Sequence, residues 1–176
     1  MVKNVTRIYL FALLLLSNSV FAGLYAGAAY TFTSVDPDVA TADRFSPTML
    51  VAKGGYEFFD YFGLELRAGV GVTDGTRVSG GVEETLSFDS MYGGYLKLQT
   101  GGEDFNPYFM AGYTNVELTA EAGGLTDTLD DRSFSYGLGV DGILSDNIFF
   151  TLELIRYYNV DSVTVDGAGV GITARY

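Results

Sequence analysis

The chain alternates between apolar and polar side chains over most of its length. Its last nine residues show the pattern in its simplest form, with apolar side chains at Ala168, Val170, Ile172, Ala174 and Tyr176. The residues between them are glycine, threonine or arginine. A period of two places successive side chains on opposite faces of a β-strand. This strand ends on an aromatic residue, which is suited to the boundary between lipid and water.

The same alternation predicts eight strands of about ten residues, the length that a tilted strand needs to cross a bilayer. They cover residues 23–33, 48–58, 62–73, 86–99, 107–119, 133–143, 148–158 and 163–176. The first, third and fifth connections are long, polar and mostly acidic, and the others are short. Long loops on one side and short turns on the other are typical of outer-membrane barrels. The predicted fold class is all-β, an eight-stranded antiparallel up-and-down transmembrane β-barrel with both termini in the periplasm.

Residues 1–22 predict a secretory signal peptide. Two basic residues precede the apolar run at 8–16, and a small-x-small cleavage pattern ends at Ala22. The apolar run has about half of the ~20 residues that a spanning helix needs. We therefore expect an exported chain in which residues 23–176 form one barrel domain of the outer membrane.

Charged residues in the predicted strands share the polar face, and the glycines of that face leave room for long side chains. If the apolar face meets lipid, the polar face lines a narrow interior. Buried ions need partners, so we expect these charges to pair as a structural plug, with Lys53 opposite Arg67 and with Glu57 and Glu65 beside them. The predicted lumen network comprises Lys53, Glu57, Glu65, Arg67, Lys97, Asp141, Glu153 and Arg175. The alternative is a solvated face of a soluble sheet.

The alternation is harder to follow in two strands. Within 86–99 we place Phe88 on the lipid face and Asp89 on the lumen face. Within 107–119 several large apolar residues share one parity, and we assign these residues to the lipid face: Tyr108, Met110, Val116 and Leu118.

Three features carry a resemblance to the small outer-membrane β-barrels, the family of OmpX and of the barrel half of OmpA. They are the run Gly54-Gly55-Tyr56-Glu57-Phe58, the run Gly-Leu-Gly-Val-Asp-Gly at 137–142, and the last strand ending at Tyr176. The resemblance covers residues 23–176. It implies an eight-stranded antiparallel barrel, insertion by the outer-membrane assembly machinery, and recognition of the C-terminal strand. In this chain that strand presents Val170, Ile172, Ala174 and Tyr176.

The chain contains no histidine and no cysteine, which limits the catalytic groups that it could use. The familiar barrel enzymes rely on a histidine base, so we predict no catalytic site, and a lipid-modifying enzyme is a disfavoured alternative. The run 137–142 matches the letters of a dinucleotide fingerprint but lies inside a predicted strand without a following helix. We expect no cofactor.

The predicted loops are rich in acids, including Asp36, Asp38, Asp127, Asp130 and Asp131. Their spacing does not match a calcium-binding loop, so we predict no dedicated metal site. A further hypothesis is that divalent cations bridge these acids to lipopolysaccharide phosphates.

A net charge of −12 disfavours nucleic acid as a partner. The sequence therefore predicts a monomeric, non-enzymatic outer-membrane barrel that contributes to envelope integrity or to surface interaction through its external loops. The expected partners are outer-membrane lipid, lipopolysaccharide, the assembly machinery and a host or surface ligand of the loops. A small-solute or ion-leak channel is the main alternative, disfavoured because porins that pass solutes have about sixteen strands.

Overall fold

A computed structural model describes residues 23–37, 44–79, 81–160 and 163–176. The predicted signal peptide and Asp38 lie outside these residues. Nine strands are present in the described part of the chain: β1 Leu24–Pro37, β2 Thr48–Phe59, β3 Phe62–Thr73, β4 Gly75–Ser79, β5 Val82–Gln99, β6 Phe105–Ala122, β7 Leu125–Ser145, β8 Ile148–Val160 and β9 Val163–Arg175. Among these residues no helix is long and apolar enough to span a membrane.

The strands form one closed antiparallel sheet. Strand β1 pairs with β2 on one side and with β9 on the other, and β3 pairs with β5 to complete the ring. Strands β3 and β4 pair with successive parts of β5, so they are two parts of one wall strand interrupted at Asp74. The barrel therefore has eight wall strands, which confirms the predicted fold class. Closure pairs the backbone groups around the wall, as a strand in hydrocarbon requires.

The barrel has two different ends. The terminal end carries Gly23, Tyr176 and the short connections β2–β3, β5–β6 and β7–β8. The distal end carries the β1–β2 connection and the hairpins β4–β5, β6–β7 and β8–β9.

Two predicted polar loops are strands instead. Residues 75–79 form β4, and residues 82–85 already belong to β5. Strands β6 and β7 stay paired as far as Ala122 and Leu125, and the turn between them places two glycines at φ values of 56° and 83°. Both faces of a strand in water can be polar, so these segments lack the apolar alternation from which the other strands were predicted.

The facing predicted for β6 is wrong. The structure buries Tyr108, Met110, Val116 and Leu118 in the lumen, with exposed fractions of 5% or less. Residues directly opposite one another share a face of the sheet, and the inward Lys97 pairs with Met110. The prediction failed because buried apolar and aromatic side chains also fill much of the lumen, so apolarity alone does not mark the lipid face.

Phe88 also points inward, opposite to the prediction. The pairing of β5 with β6 shifts between Phe88 and Ser90, leaving Asp89 as an extra residue in a β-bulge. An extra residue reverses the side-chain parity on one side of the bulge.

The outer wall is apolar and is bordered by aromatic rings. Leu66, near the middle of β3, is 72% exposed. One set of rings lies toward the terminal end and another toward the distal end: Tyr56, Phe58, Phe62, Phe105, Phe109 and Tyr176, and then Tyr30, Phe32, Tyr92, Tyr113, Phe134 and Tyr136. Two aromatic belts around an apolar band are typical of a barrel that sits in a bilayer.

Candidate functional site

The charged side chains of the barrel converge in the terminal half of its lumen. Strand alternation turns all eight residues of the predicted lumen network inward, from β2, β3, β5, β7, β8 and β9. Six of them are at most 5% exposed: Lys53, Glu65, Arg67, Lys97, Asp141 and Glu153. Glu57 and Arg175 lie nearer to the terminal mouth and are partly exposed.

Arg67 is at the centre of the first cluster. Its Nε donates to Glu65 Oε1 and its Nη2 donates to Glu153 Oε2, each at 2.6 Å. Lys53 lies directly opposite Arg67 in the β2–β3 pairing. Its Nζ is 3.8 Å from Glu153 Oε1 and donates to Thr151 Oγ1 at 3.3 Å. Glu153 therefore compensates two cations that pair across neighbouring strands.

Asp141 is at the centre of the second cluster. Its Oδ2 accepts hydrogen bonds from Lys97 and from Arg175, each at 3.0 Å, and its Oδ1 accepts one from Thr151 at 2.7 Å. The Lys97 ammonium also lies 4.1 Å from the centre of the Tyr108 ring. Arg175 contacts Glu57 at 3.7 Å, so Glu57 pairs with Arg175 and not with Lys53.

Two buried tyrosines complete these clusters. Sequence reasoning assigned no role to Tyr25 and placed Tyr108 on the lipid face. The Tyr25 hydroxyl donates to Glu65 Oε2 at 2.8 Å, and the Tyr108 hydroxyl donates to Glu153 Oε2 at 3.1 Å. Each ring occupies the space left by a glycine. A Cβ added at Gly55 would lie 2.4 Å from the Tyr25 ring, and one at Gly139 would lie 2.5 Å from the Tyr108 ring. The signal in the sequence that could have found these tyrosines is an aromatic residue directly opposite a glycine on the lumen face of the neighbouring strand.

The network contains four acids and four bases, so its formal charge is zero. Toward the distal end the lumen continues as an apolar core around Met49, Met91, Met110, Val116 and Val165, each at most 2% exposed. Paired ions followed by a packed apolar layer fill the interior, as expected for a barrel of eight strands.

Above the barrel, β4 and the distal parts of β5, β6 and β7 (75–79, 82–90, 115–122 and 125–135) form what we call the distal sheet. It carries eight acids and two arginines: Glu83, Glu84, Asp89, Glu117, Glu121, Asp127, Asp130, Asp131, Arg77 and Arg132. Its surface is therefore strongly acidic. In the described part of the chain, no three acidic side chains are grouped so that they could hold a metal ion.

One carboxylate of the distal sheet is held by two donors. Tyr158 donates its hydroxyl to Asp131 Oδ2 at 2.8 Å, and the N–H of Arg132 donates to Oδ1 at 2.7 Å. These hydrogen bonds, the one from Tyr158 first, hold the pKa of Asp131 below its usual range because they favour the charged form.

Several solved structures of bacterial surface and outer-membrane proteins share this fold. Ail, the attachment invasion locus protein of Yersinia pestis, matches with a TM-score of 0.65 and 17% identity over 89% of this chain and 100% of Ail. Its complex with the heparin analogue sucrose octasulfate gives 0.63 and 15% over the same shares. Neisserial surface protein A gives 0.62 and 12%, over 88% of this chain and 97% of that one. At these identities the likeness concerns the fold.

Sequence comparison identifies the family. A search of curated protein sequences gives no match. The profile of the family described as "Outer membrane protein beta-barrel domain" matches residues 9–176. With that match and the closed eight-stranded wall, the chain belongs to the outer membrane protein beta-barrel domain family, and its location is the outer membrane.

Proposed function

We propose that this protein is a monomeric, non-enzymatic barrel that makes contacts at the cell surface through its distal sheet, with both termini in the periplasm. The observation that carries this proposal is the length of three neighbouring strands. Strands β5 and β6 have 18 residues each and β7 has 21, whereas a tilted strand crosses a bilayer in about 9–11 residues. Nearly half of each strand therefore stands beyond the hydrocarbon as ordered sheet.

The filled lumen supports a role as a scaffold and argues against a channel. Ions and solutes would have to displace paired charges such as Arg67–Glu153 and then pass the apolar core. The lumen network acts in this proposal as a plug that keeps the wall rigid. Steady, large single-channel conductance in planar bilayers would overturn this part of the proposal.

Export and assembly follow the usual route for such barrels in this proposal. Residues 1–22 are removed, and the assembly machinery recognises the outward side chains of β9 and the last residue: Val170, Ile172, Ala174 and Tyr176. No histidine is available as a base, so we assign no catalytic step to the chain.

The surface role can be tested by shortening the distal sheet. Replacing residues 118–129 with Asn-Gly joins β6 to β7 by a two-residue hairpin and leaves the lumen network intact. A deletion strain would be complemented with the full-length chain or with the shortened chain. We expect both chains to show heat-modifiable gel migration, and both strains to be equally resistant to detergent and bile. Only the shortened chain should lose contact with host cells.

The same strains test the second role, envelope integrity, which the sealed barrel wall favours. The surface role is wrong if deleting the protein lowers detergent resistance but leaves contact with host cells unchanged. In that case the shortened chain should restore detergent resistance fully. The barrel wall alone would then account for the function.

A further inference from the structure

Four residues form one level row across the outer face of neighbouring strands. Tyr136 of β7 lies opposite Arg156 of β8, and Arg156 lies opposite Asp166 of β9. Asp166 in turn lies opposite Ser34 of β1. Residues directly opposite one another share a face of the sheet, and Tyr136 belongs to the distal aromatic belt. These four residues, which we call the polar row, therefore lie where the lipid-facing wall meets the lipid headgroups.

The centre of the polar row is a two-pronged ion pair. Arg156 donates from Nε to Asp166 Oδ1 at 2.7 Å and from Nη2 to Asp166 Oδ2 at 2.8 Å. The side chains of Arg156 and Asp166 are 35% and 48% exposed, so both charged groups can be reached from outside the barrel. The β8–β9 pairing shifts directly after Arg156, and the bulge turns both Tyr157 and Tyr158 into the lumen. The ion pair therefore stands at the distal limit of the apolar alternation on β8.

A groove in the apolar wall begins at the polar row. The next row of opposite residues toward the terminal end is apolar and consists of Leu138, Leu154, Ala168 and Phe32. Ala168 is small, and its neighbours Leu154 and Phe32 are more than half exposed, so the wall is recessed at Ala168. An open hollow of about 490 Å³ joins this recess to the ion pair.

A second hollow extends the groove toward the middle of the wall. It has a volume of about 430 Å³, shares Leu154 and Ala168 with the first hollow, and continues to Val140 and Leu152. The two hollows together run along the wall from the headgroup level into the hydrocarbon. This is the course that the acyl chain of a bound lipid follows.

The groove alone does not select one lipid from the others. An acyl chain that leaves the surrounding lipid for the groove passes between two apolar environments, so the hydrophobic effect contributes no driving force and only packing contacts differ. A preference for one class of lipid must therefore come from the headgroup contacts at the polar row.

The charges of the polar row are complementary to a zwitterionic headgroup. Arg156 and Asp166 compensate each other, so a purely anionic headgroup would be attracted by the first and repelled by the second. A headgroup with a phosphate and a primary ammonium suits both. The guanidinium has N–H groups beyond the two that bind Asp166, and the carboxylate oxygens have further lone pairs for an ammonium N–H.

We propose that the polar row and the groove bind a phospholipid with an ethanolamine headgroup. Its phosphate binds Arg156, its primary ammonium binds Asp166, and one acyl chain lies over Ala168. This site is on the barrel wall, so it goes beyond the surface role of the distal sheet and does not depend on that role.

Lipids that differ only in the headgroup test the contacts with the ion pair. The chain from Gly23 to Tyr176 would be purified in detergent and titrated with phosphatidylethanolamine, phosphatidylcholine or phosphatidylglycerol of identical acyl chains. Native mass spectrometry would count the bound lipids, and NMR amide shifts would locate them. Phosphatidylcholine is the matched control, because it keeps the phosphate and the positive charge but its nitrogen carries no N–H.

We expect phosphatidylethanolamine to bind about two- to fivefold more tightly than phosphatidylcholine, as expected for one partly exposed charged contact. The amide shifts should be confined to residues 136–138, 154–156 and 166–168. Equal binding of these two lipids, tighter binding of phosphatidylglycerol, or shifts elsewhere on the wall would each overturn the proposal. Displacement of the bound ethanolamine lipid by lipopolysaccharide at the same amides would also overturn it, since an anionic glycolipid would then be the occupant.

Variants of the ion pair test the headgroup preference. Asp166→Asn removes the group that binds the ammonium, so phosphatidylethanolamine and phosphatidylcholine should then bind equally. Glu84→Gln is the control, because it removes an acid that pairs with Arg77 at 2.6 Å on the distal sheet, away from the polar row. It should leave the preference unchanged. A preference that survives in Asp166→Asn would contradict the assigned role of this carboxylate.

Variants of the groove test the position of the acyl chain. Ala168→Leu fills the recess and should weaken the binding of both lipids while the preference between them remains. Ala52→Leu enlarges another exposed alanine, on the outer face of β2, and should change neither. If the two leucine variants had the same effect, the acyl chain would not lie over Ala168 and the proposed site would be wrong.

Discussion

Arg67 on β3 and Glu153 on β8 meet across the lumen, 86 positions apart in the chain, with 2.6 Å between Nη2 and Oε2. Both side chains are almost completely buried, and Glu153 also compensates Lys53 and accepts the Tyr108 hydroxyl. The contact joins opposite parts of the wall, so it depends on barrel closure.

Replacing Glu153 with Gln should destabilise the barrel strongly. Glutamine keeps the shape but leaves Arg67 and Lys53 without their shared counter-charge, and an uncompensated buried ion costs about 3–5 kcal/mol. Urea unfolding in detergent micelles or bilayers would measure the loss. Glu57→Gln is the matched control, because its contact with Arg175 is at 3.7 Å near the open mouth and should be worth less than about 1 kcal/mol. If both variants lost the same free energy of unfolding, the central role of Glu153 would be contradicted.

Leu66→Arg should block stable insertion. Leu66 is 72% exposed near the middle of the outer wall, and an arginine at the bilayer midplane costs about 2–4 kcal/mol. Leu125→Arg is a demanding control, since Leu125 is 79% exposed but lies at the tip of the distal sheet, in water. Heat-modifiable gel migration in outer-membrane fractions should be lost for the first variant and kept for the second. Normal migration of Leu66→Arg would mean that lipid does not cover this face.

The wall of the barrel could be predicted from the sequence wherever one face is apolar. Strand β3 spans Phe62–Thr73 as predicted, because lipid on one side and a polar lumen on the other impose a strict alternation. The alternation failed at Phe88, where the Asp89 bulge reverses parity, and at Tyr108, where an apolar ring belongs to the lumen. The alternation also failed to predict the distal sheet, because strands with water on both faces do not need an apolar face.

The candidate site was predictable in its membership but not in its pairing. Alternation alone turns Lys53, Glu65 and Arg67 inward, and the short β2–β3 turn places Lys53 opposite Arg67. The partner of Lys53 is Glu153 and not Glu57, because the stagger of the closed barrel decides which distant strands share a level. Local pattern carries no information about that stagger.

Gly139→Ala should destabilise the barrel by crowding a buried ring. An added Cβ would lie 2.5 Å from the Tyr108 ring, which is held by its bond to Glu153, and overpacking of this kind costs about 1–3 kcal/mol. Gly94→Ala should be close to neutral, because its Cβ would meet only Leu66 Cδ2 at 3.6 Å. The difference in urea midpoint between the two variants is the measurement, and a neutral Gly139→Ala would show that the ring moves freely.

The Tyr158–Asp131 hydrogen bond should make the edge of the distal sheet sensitive to acid. The folded pKa of Asp131 lies below its unfolded value, so the bond stabilises this edge fully above the unfolded pKa of about 3.9. That contribution is lost as the pH falls through the lower folded pKa. A carboxyl titration by NMR should place the Asp131 midpoint below the value of an unfolded aspartate. Tyr158→Phe should raise the Asp131 midpoint, because it removes the first of the two donors. An unshifted Asp131 in this variant would show that the Arg132 N–H alone holds the carboxylate.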